Sequence, residues 1–173
     1  MRDPLPRLPA EGTANVLFQS FRTQTAIREL MQGVLAGTGV SGEEYAILGV
    51  VHFFPDRTPT ELAAALGIPP TSVSRQVAAL LDKGLVARRP NPEDGRSYLL
   101  SPTAKGSKAV TKIAPRVADR VEAIGQVAKR PLEQIGASLA ALEAAVKEVL
   151  AAERRASKTA KKRARREGRP RLH

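Results

Sequence analysis

The chain has neither cysteine nor tryptophan, and only two histidines, in 173 residues. The lack of cysteine excludes a disulfide framework, a thiolate metal site and a peroxide-sensing thiol. Two histidines, His52 and His173, cannot supply a multi-histidine zinc site within one chain. No metal and no cofactor is therefore expected. Aromatic residues are only 3% of the chain while 42% of residues are apolar, so the core must be aliphatic. Helices pack Leu, Val, Ile and Ala readily, and Leu and Ala are strong helix formers. No apolar run reaches the roughly 18 residues of a membrane span. The N-terminus has Pro4, Pro6 and Pro9 and no apolar segment before Val16, which is not the layout of a secretory signal. A cytoplasmic protein with no membrane partner is the expectation. Acidic residues are also scarce, 17 against 28 Lys and Arg, for a formal net charge of +11. The excess gathers in residues 153–173, with ten Lys/Arg against two Glu. A block of like charge reads as a disordered arm, whose natural partners are nucleic acid or an anionic surface.

Local signals organise the rest. Residues 1–12 are Pro-rich and expected to be disordered. Leu17, Phe21, Ile27, Leu30, Val34 and Leu35 fall roughly on helical spacing, and Gly37-Thr38-Gly39 ends that pattern. Ser41 with Glu44 forms a capping box, and Val40 with Tyr45 is placed for a hydrophobic staple, so a second helix starts there. Pro55-Asp56 stops it. Thr58-Pro59-Thr60-Glu61 opens a short third helix that Gly67 ends. A fourth helix spans about 70–82, with Val73, Val77, Leu80 and Leu81 on one face. At about 100° per residue, Thr71, Ser72, Arg75, Ala78 and Ala79 fall on the other. The period then shortens. Leu85–Arg89 and Arg96–Leu100 read as two strands around the turn-rich Pro90–Gly95. A hairpin directly after a helix-turn-helix is a wing. From Ser101-Pro102 onward the pattern is helical again. Pro115 is expected to kink or interrupt the helix, and Pro131 marks a break. Ile135, Leu139, Leu142, Val146 and Val149 then form a short heptad-like seam.

The expected fold is mainly α with a small β-hairpin. Its divisions are a disordered leader (1–12), a dimerisation helix (13–40), a winged helix-turn-helix domain (41–101), further dimerisation helices (102–152) and a disordered basic tail (153–173). Such a domain reads duplex DNA with a helix in the major groove, where each base pair shows a distinct donor and acceptor pattern. Thr71, Ser72, Ser74, Arg75 and Gln76 supply small hydroxyls, an amide and a long cation at the start of that helix. Arg75 is the candidate for a bidentate contact with guanine, and the hydroxyls suit phosphate. Taken alone, Arg75 would be a solvated surface cation, but the hairpin that follows favours the DNA reading. Arg96 at the hairpin tip suits the narrow minor groove. Asp94 either holds the tip or orients an Arg. Arg88 and Arg89, at the hairpin base, either reach phosphates or brace Asp94.

These residues resemble those of a known family. Thr60-Glu61-Leu62-Ala63, Val73-Ser74-Arg75, Leu80-Leu81-Asp82-Lys83-Gly84-Leu85-Val86, Asp94-Gly95-Arg96 and Leu100-Ser101-Pro102-Thr103-Ala104-Lys105-Gly106 are similar to the MarR family of bacterial regulators over about residues 14–150. The resemblance implies a triangular homodimer held by its first, fifth and sixth helices, with the fourth helix and wing on DNA. It implies repression, and a small-molecule pocket whose occupation weakens DNA binding. Phe18, Phe21, Tyr45 and His52 lie in the segments that would line such a pocket, although each also reads as an ordinary packed side chain. The chain departs from the family pattern at Pro69, where a capping hydroxyl is usual, and at Gly95, where Arg is frequent. The basic tail extends past the usual family end.

A different class of function is an architectural, nucleoid-associated protein whose basic tail binds phosphate regardless of sequence. An enzyme is not expected. The sequence offers no nucleophile–base pair, no metal constellation and no phosphate-binding Gly loop.

Overall fold

A computed structural model describes residues 15–167, the last nine of them as backbone only. The leader expected to be disordered over residues 1–12 lies outside the described residues. The chain divides into two units at residue 120. The first contains α1 (Asn15–Leu35), α2 (Gly42–Phe53), α3 (Pro59–Leu66), α4 (Pro70–Asp82), β1 (Val86–Pro90), β2 (Tyr98–Pro102) and most of α5 (Ala104–Val127). The second contains the end of α5 and α6 (Leu132–Glu167).

The helix starts of the first unit follow their caps. Ser41 Oγ accepts from the Glu44 N–H (3.2 Å), while the Glu44 carboxylate accepts from the Ser41 N–H (2.7 Å). Thr58 and Glu61 repeat this exchange at α3, with Pro59 in the first turn. Gly67 closes α3 at φ 64°, a left-handed conformation that glycine adopts without steric cost. Pro69 leaves α4 without a side-chain cap. Its carbonyl instead accepts from the N–H groups of Ser72 (2.9 Å) and Val73 (3.1 Å).

The core is aliphatic, as the scarcity of aromatics requires. Ile47, Leu48 and Val51 of α2, Leu62 of α3, Val73, Val77 and Leu80 of α4, Leu100 of β2 and Val110 of α5 are all buried. Glu44 is the one buried charged residue among those described. Lys83, just past α4, donates to both of its carboxylate oxygens (2.7 Å) and to the Gly39 carbonyl (2.8 Å). Burial pushes the Glu44 carboxyl up, but the Lys83 ammonium and the Ser41 N–H outweigh it and hold it below its ordinary value.

β1 and β2 pair antiparallel from Val86↔Pro102 to Pro90↔Tyr98. The returning strand therefore starts two residues later than Arg96, where the sequence pattern placed it. Asp94 takes Arg96 and Ser97 into the turn, its Oδ1 accepting from the Arg96 N–H (3.0 Å) and its carbonyl from the Ser97 N–H (2.9 Å). After the hairpin, Thr103 caps α5. Its Oγ1 accepts from the Gly106 N–H (3.0 Å) and donates to the Gly84 carbonyl (2.8 Å). This brings the first turn of α5 against Leu85 so closely that a Cβ on Gly106 would lie 1.9 Å from the Leu85 carbonyl oxygen.

One expectation is narrowed and one needs correction. Of the kink or interruption expected at Pro115, no interruption occurs, since the residue sits inside α5. Pro115 and Thr111, whose carbonyl loses its donor, are both exposed, so water can satisfy the freed oxygen. The basic tail expected to be disordered from residue 153 is instead helical as far as Glu167, continuous with α6. Its Ala, Arg and Lys are strong helix formers, and a reading by charge alone passed over that. Residues 168–173 lie outside the described residues.

Two measurements test this packing. Helix propensity favours Gly106→Ala by about 1 kcal/mol, but the clash with the Leu85 carbonyl should reverse the sign. The variant should lose about 3 kcal/mol in urea unfolding, and a gain would refute the close approach. Glu44→Gln should cost about 1–2 kcal/mol at pH 7 by loss of the charge-assisted bond. Because the folded-state carboxyl titrates below its ordinary 4.5, that stabilisation is complete above the ordinary value and fades as pH falls through the folded one. The melting curves of wild type and variant should therefore converge on acidification.

Candidate nucleic-acid interface

α4 has two faces. Val73, Val77 and Leu80 are buried, and on the other side Thr71, Ser74, Arg75 and Ala78 are exposed while Ser72, Gln76 and Ala79 are half-buried. The Ser74 hydroxyl turns back to the Pro70 carbonyl (3.0 Å). Arg75 carries its guanidinium into solvent with its side chain 72% exposed, 3.4 Å from the carboxylate of Glu43 in the first turn of α2. Gln76 donates to the same carboxylate oxygen. Sequence reading missed Glu43, which lies 32 residues from Arg75. Its acidic charge at a helix N-terminus is explained by the helix dipole alone, and only the packing of α2 on α4 brings it to this face. An exposed pair of this kind is worth about 0–1 kcal/mol, so Arg75 and Gln76 are readily exchanged to another acceptor.

The hairpin presents a different set. Arg89 does not brace Asp94. It meets Asp56, in the α2–α3 connection, through Nε–Oδ1 (3.2 Å) and Nη2–Oδ2 (3.1 Å). Ser101 Oγ donates to the same carboxylate (2.7 Å). Asp56 itself sits at φ 63°, and its N–H bonds the Leu100 carbonyl (2.8 Å). Arg57 and Leu100 form an isolated bridge beside it. The Arg89 and Ser101 hydrogen bonds hold the Asp56 carboxyl below its usual range, and Asp56 in turn raises the Arg89 guanidinium. Arg88 lies over the Tyr98 ring, 5.9 Å from its centroid. At the tip, Asp94 uses its carboxylate on the Arg96 backbone rather than on an Arg side chain. The Arg96 side chain is exposed and has no partner among the described residues.

The four residues named for an effector pocket are more scattered in character. Phe18 and Phe21 stand exposed on α1. Tyr45 packs against the core, and burial pushes its phenol up. His52 is half-buried, edge-on to Phe53 at 5.0 Å, with Nδ1 buried and without a hydrogen-bond partner among the described residues. Among the described residues no cluster of His, Asp or Glu is placed to hold a metal, and no helix is long and apolar enough to cross a membrane.

A sequence model of the MarR family matches residues 38–97, the stretch from the entry to α2 through the wing tip. Over that stretch the chain is similar to the MarR family, and its helix-turn-helix and hairpin have the winged-helix arrangement. A Thauera aromatica protein, named as a transcriptional regulatory protein for the hcr operon, is 30% identical to the chain over 92 residues, 53% of this chain and 55% of its own length. The chain thus spans about half of that relative. Among solved structures, the Mycobacterium tuberculosis regulator MosR in complex with DNA superposes with a TM-score of 0.69 at 21% identity, covering 79% of this chain and 97% of its own. CouR, a transcriptional repressor from Rhodococcus jostii, was solved on a 23-mer duplex and also bound to p-coumaroyl-CoA. On the duplex it superposes with a TM-score of 0.67 at 25% identity, covering 80% of this chain and 99% of its own.

The Asp56 clasp yields one prediction. Asp56→Ala should lower the melting temperature and speed amide exchange at Ser101. Asp56→Gly should melt higher than the Ala variant, because glycine relieves the backbone at φ 63°, yet exchange as fast at Ser101. Equal melting of the two variants would count against strain at this position.

Proposed function

We propose that the chain is a sequence-specific DNA-binding transcriptional regulator, acting as a repressor, that binds a pseudo-palindromic operator as a homodimer. The observation that carries this reading is the outward face of α4. Arg75, Gln76, Thr71 and Ser74 have no part in the core, and Arg96, without a partner among the described residues, stands at the tip of the adjoining wing. Arg75 reads guanine in the major groove, the α4 hydroxyls and Arg88 take phosphate, and Arg96 enters the minor groove. Arg89, held by Asp56, sets the wing's angle at its base. The similarity of residues 38–97 to the MarR family, and the DNA bound by MosR and CouR, support the assignment.

A second copy of the chain is favoured by what α1 and α6 leave in water. Leu17, Phe18 and Phe21 on α1, and Leu139, Val146 and Val149 on α6, are all exposed, and faces of this kind mark association surfaces. In a two-fold dimer the two α4 helices fall about one duplex turn, roughly 34 Å, apart. Phe18, Phe21, Tyr45 and His52 are the residues proposed to meet a small-molecule effector, which would release the operator by favouring a dimer with the wrong spacing. The acyl-CoA bound by CouR supports an effector of some kind.

Selection from a random duplex library tests this reading. It should return an inverted repeat with half-sites about ten base pairs apart. Arg75→Ala should then weaken binding to the selected site by about 1–3 kcal/mol and relax preference at one base pair. Arg96→Ala should weaken it chiefly where the flank is A·T-rich. If both variants bind every duplex as wild type does, the α4-and-wing assignment is wrong.

A further inference from the structure

α6 is 36 residues long, about 54 Å at 1.5 Å per residue, and its character changes along its length. The large apolar side chains of α6 stop at Leu150. Beyond them the helix carries eight cations, Arg154, Arg155, Lys158, Lys161, Lys162, Arg163, Arg165 and Arg166. At about 100° per residue, seven of these eight positions fall within an arc of about 140°, Arg163 alone lying outside. The opposite arc holds Glu153, Ala156, Ser157, Ala160, Ala164 and Glu167. The charge is therefore one-sided, a property that a disordered arm of the same composition would lack.

Two plain explanations fall short. Cations near a helix C-terminus are favoured by the dipole, but only over the last turn, which accounts for Arg165 and Arg166 and not for Arg154 or Lys158. Helix stability alone disfavours the pattern. Arg154–Lys158, Lys158–Lys162, Lys161–Arg165 and Lys162–Arg166 are like charges four residues apart, each costing a few tenths of a kcal/mol. A polyanion laid along that face would turn the repulsion into attraction. The occupant is not a bilayer, since an interfacial helix needs a large apolar face and this segment offers only alanine. We infer that residues 154–166 of α6 form a second DNA-binding surface, a basic helical face that takes duplex phosphates without reading sequence. Duplex DNA carries one charge per roughly 1.7 Å of axis, so a face about 18 Å long meets several phosphates at once. MosR and CouR match nearly their full length while covering about four fifths of this chain, so their shared fold does not account for all of it.

The test uses the full chain and two duplexes, the selected operator and a shuffled sequence, titrated over a range of salt. Arg154→Gln, Lys158→Gln, Lys161→Gln and Arg165→Gln together should lower the slope of log affinity against log salt by about 3–4, at about 0.9 per phosphate. The loss should be equal on both duplexes. A second variant moves charge around the helix at constant composition, with Lys158→Ala and Lys162→Ala compensated by Ala156→Lys and Ala160→Lys. It should lose about 2 from the slope by the same rule. An unchanged slope in the first variant overturns the inference, and a second variant that behaves as wild type reduces the surface to bulk charge and overturns it equally. Binding to phosphatidylserine vesicles that tracks these charges while the DNA slope does not would assign the face to membrane and also overturn it. The outcome is separable from the winged-helix reading. Lost operator choice with intact slope effects removes that reading alone, and intact operator choice with no slope effect removes only this one.

Discussion

Burial of three aliphatic side chains decides which way the recognition face points. Val73, Val77 and Leu80 of α4 are almost wholly removed from water against Ile47, Leu48 and Val51 of α2. Each such side chain contributes roughly 1.5–3 kcal/mol, whereas the exposed Arg75–Glu43 pair contributes about 1 at most. Rotating α4 to any other face would forfeit the larger sum. Arg75 therefore faces outward because of its neighbours two and five residues away, and its own interactions have little say. The same core seats Leu100, which ties the hairpin to the α2–α3 connection and so sets where the wing starts.

Polar contacts do a complementary job at the joints between elements. Lys83 links the end of α4 to the start of α2 through Glu44 and Gly39. Asp56 links the connection before α3 to both strands of the wing through Arg89 and Ser101. Thr103 and Gly106 fasten α5 to the segment entering the hairpin. Each joint pairs residues far apart in sequence, and each stands next to one of the two elements that face DNA in the proposed function. A reading helix and a wing are useful only at a fixed angle, and these contacts restrict that angle at little cost in buried charge.

Much of this was legible from local pattern. Both capping boxes, the left-handed Gly67, the uncapped Pro69 and the two faces of α4 follow from side chains within four residues of one another, which is the range over which helix chemistry acts. The hairpin was legible too, but its register was not. Whether Arg96 and Ser97 belong to strand or turn depends on which backbone groups Asp94 captures, and alternation alone does not say. The tail was misread because charge and helix propensity pointed in opposite directions, and the propensity of Ala, Arg and Lys prevailed through Glu167.

The sequence by itself determined an aliphatic, helix-rich fold, the order of its elements, the absence of cysteine chemistry, and the residue types offered by α4 and the wing. Tertiary structure alone decided that Glu43 meets Arg75 and Gln76, that Arg89 turns to Asp56 rather than Asp94, and that Gly106 has no room for a methyl group. The physical reason is range. Caps and helix faces are set by neighbours along the chain, while ion-pair partners and close backbone approaches are set by which elements the shared core brings together.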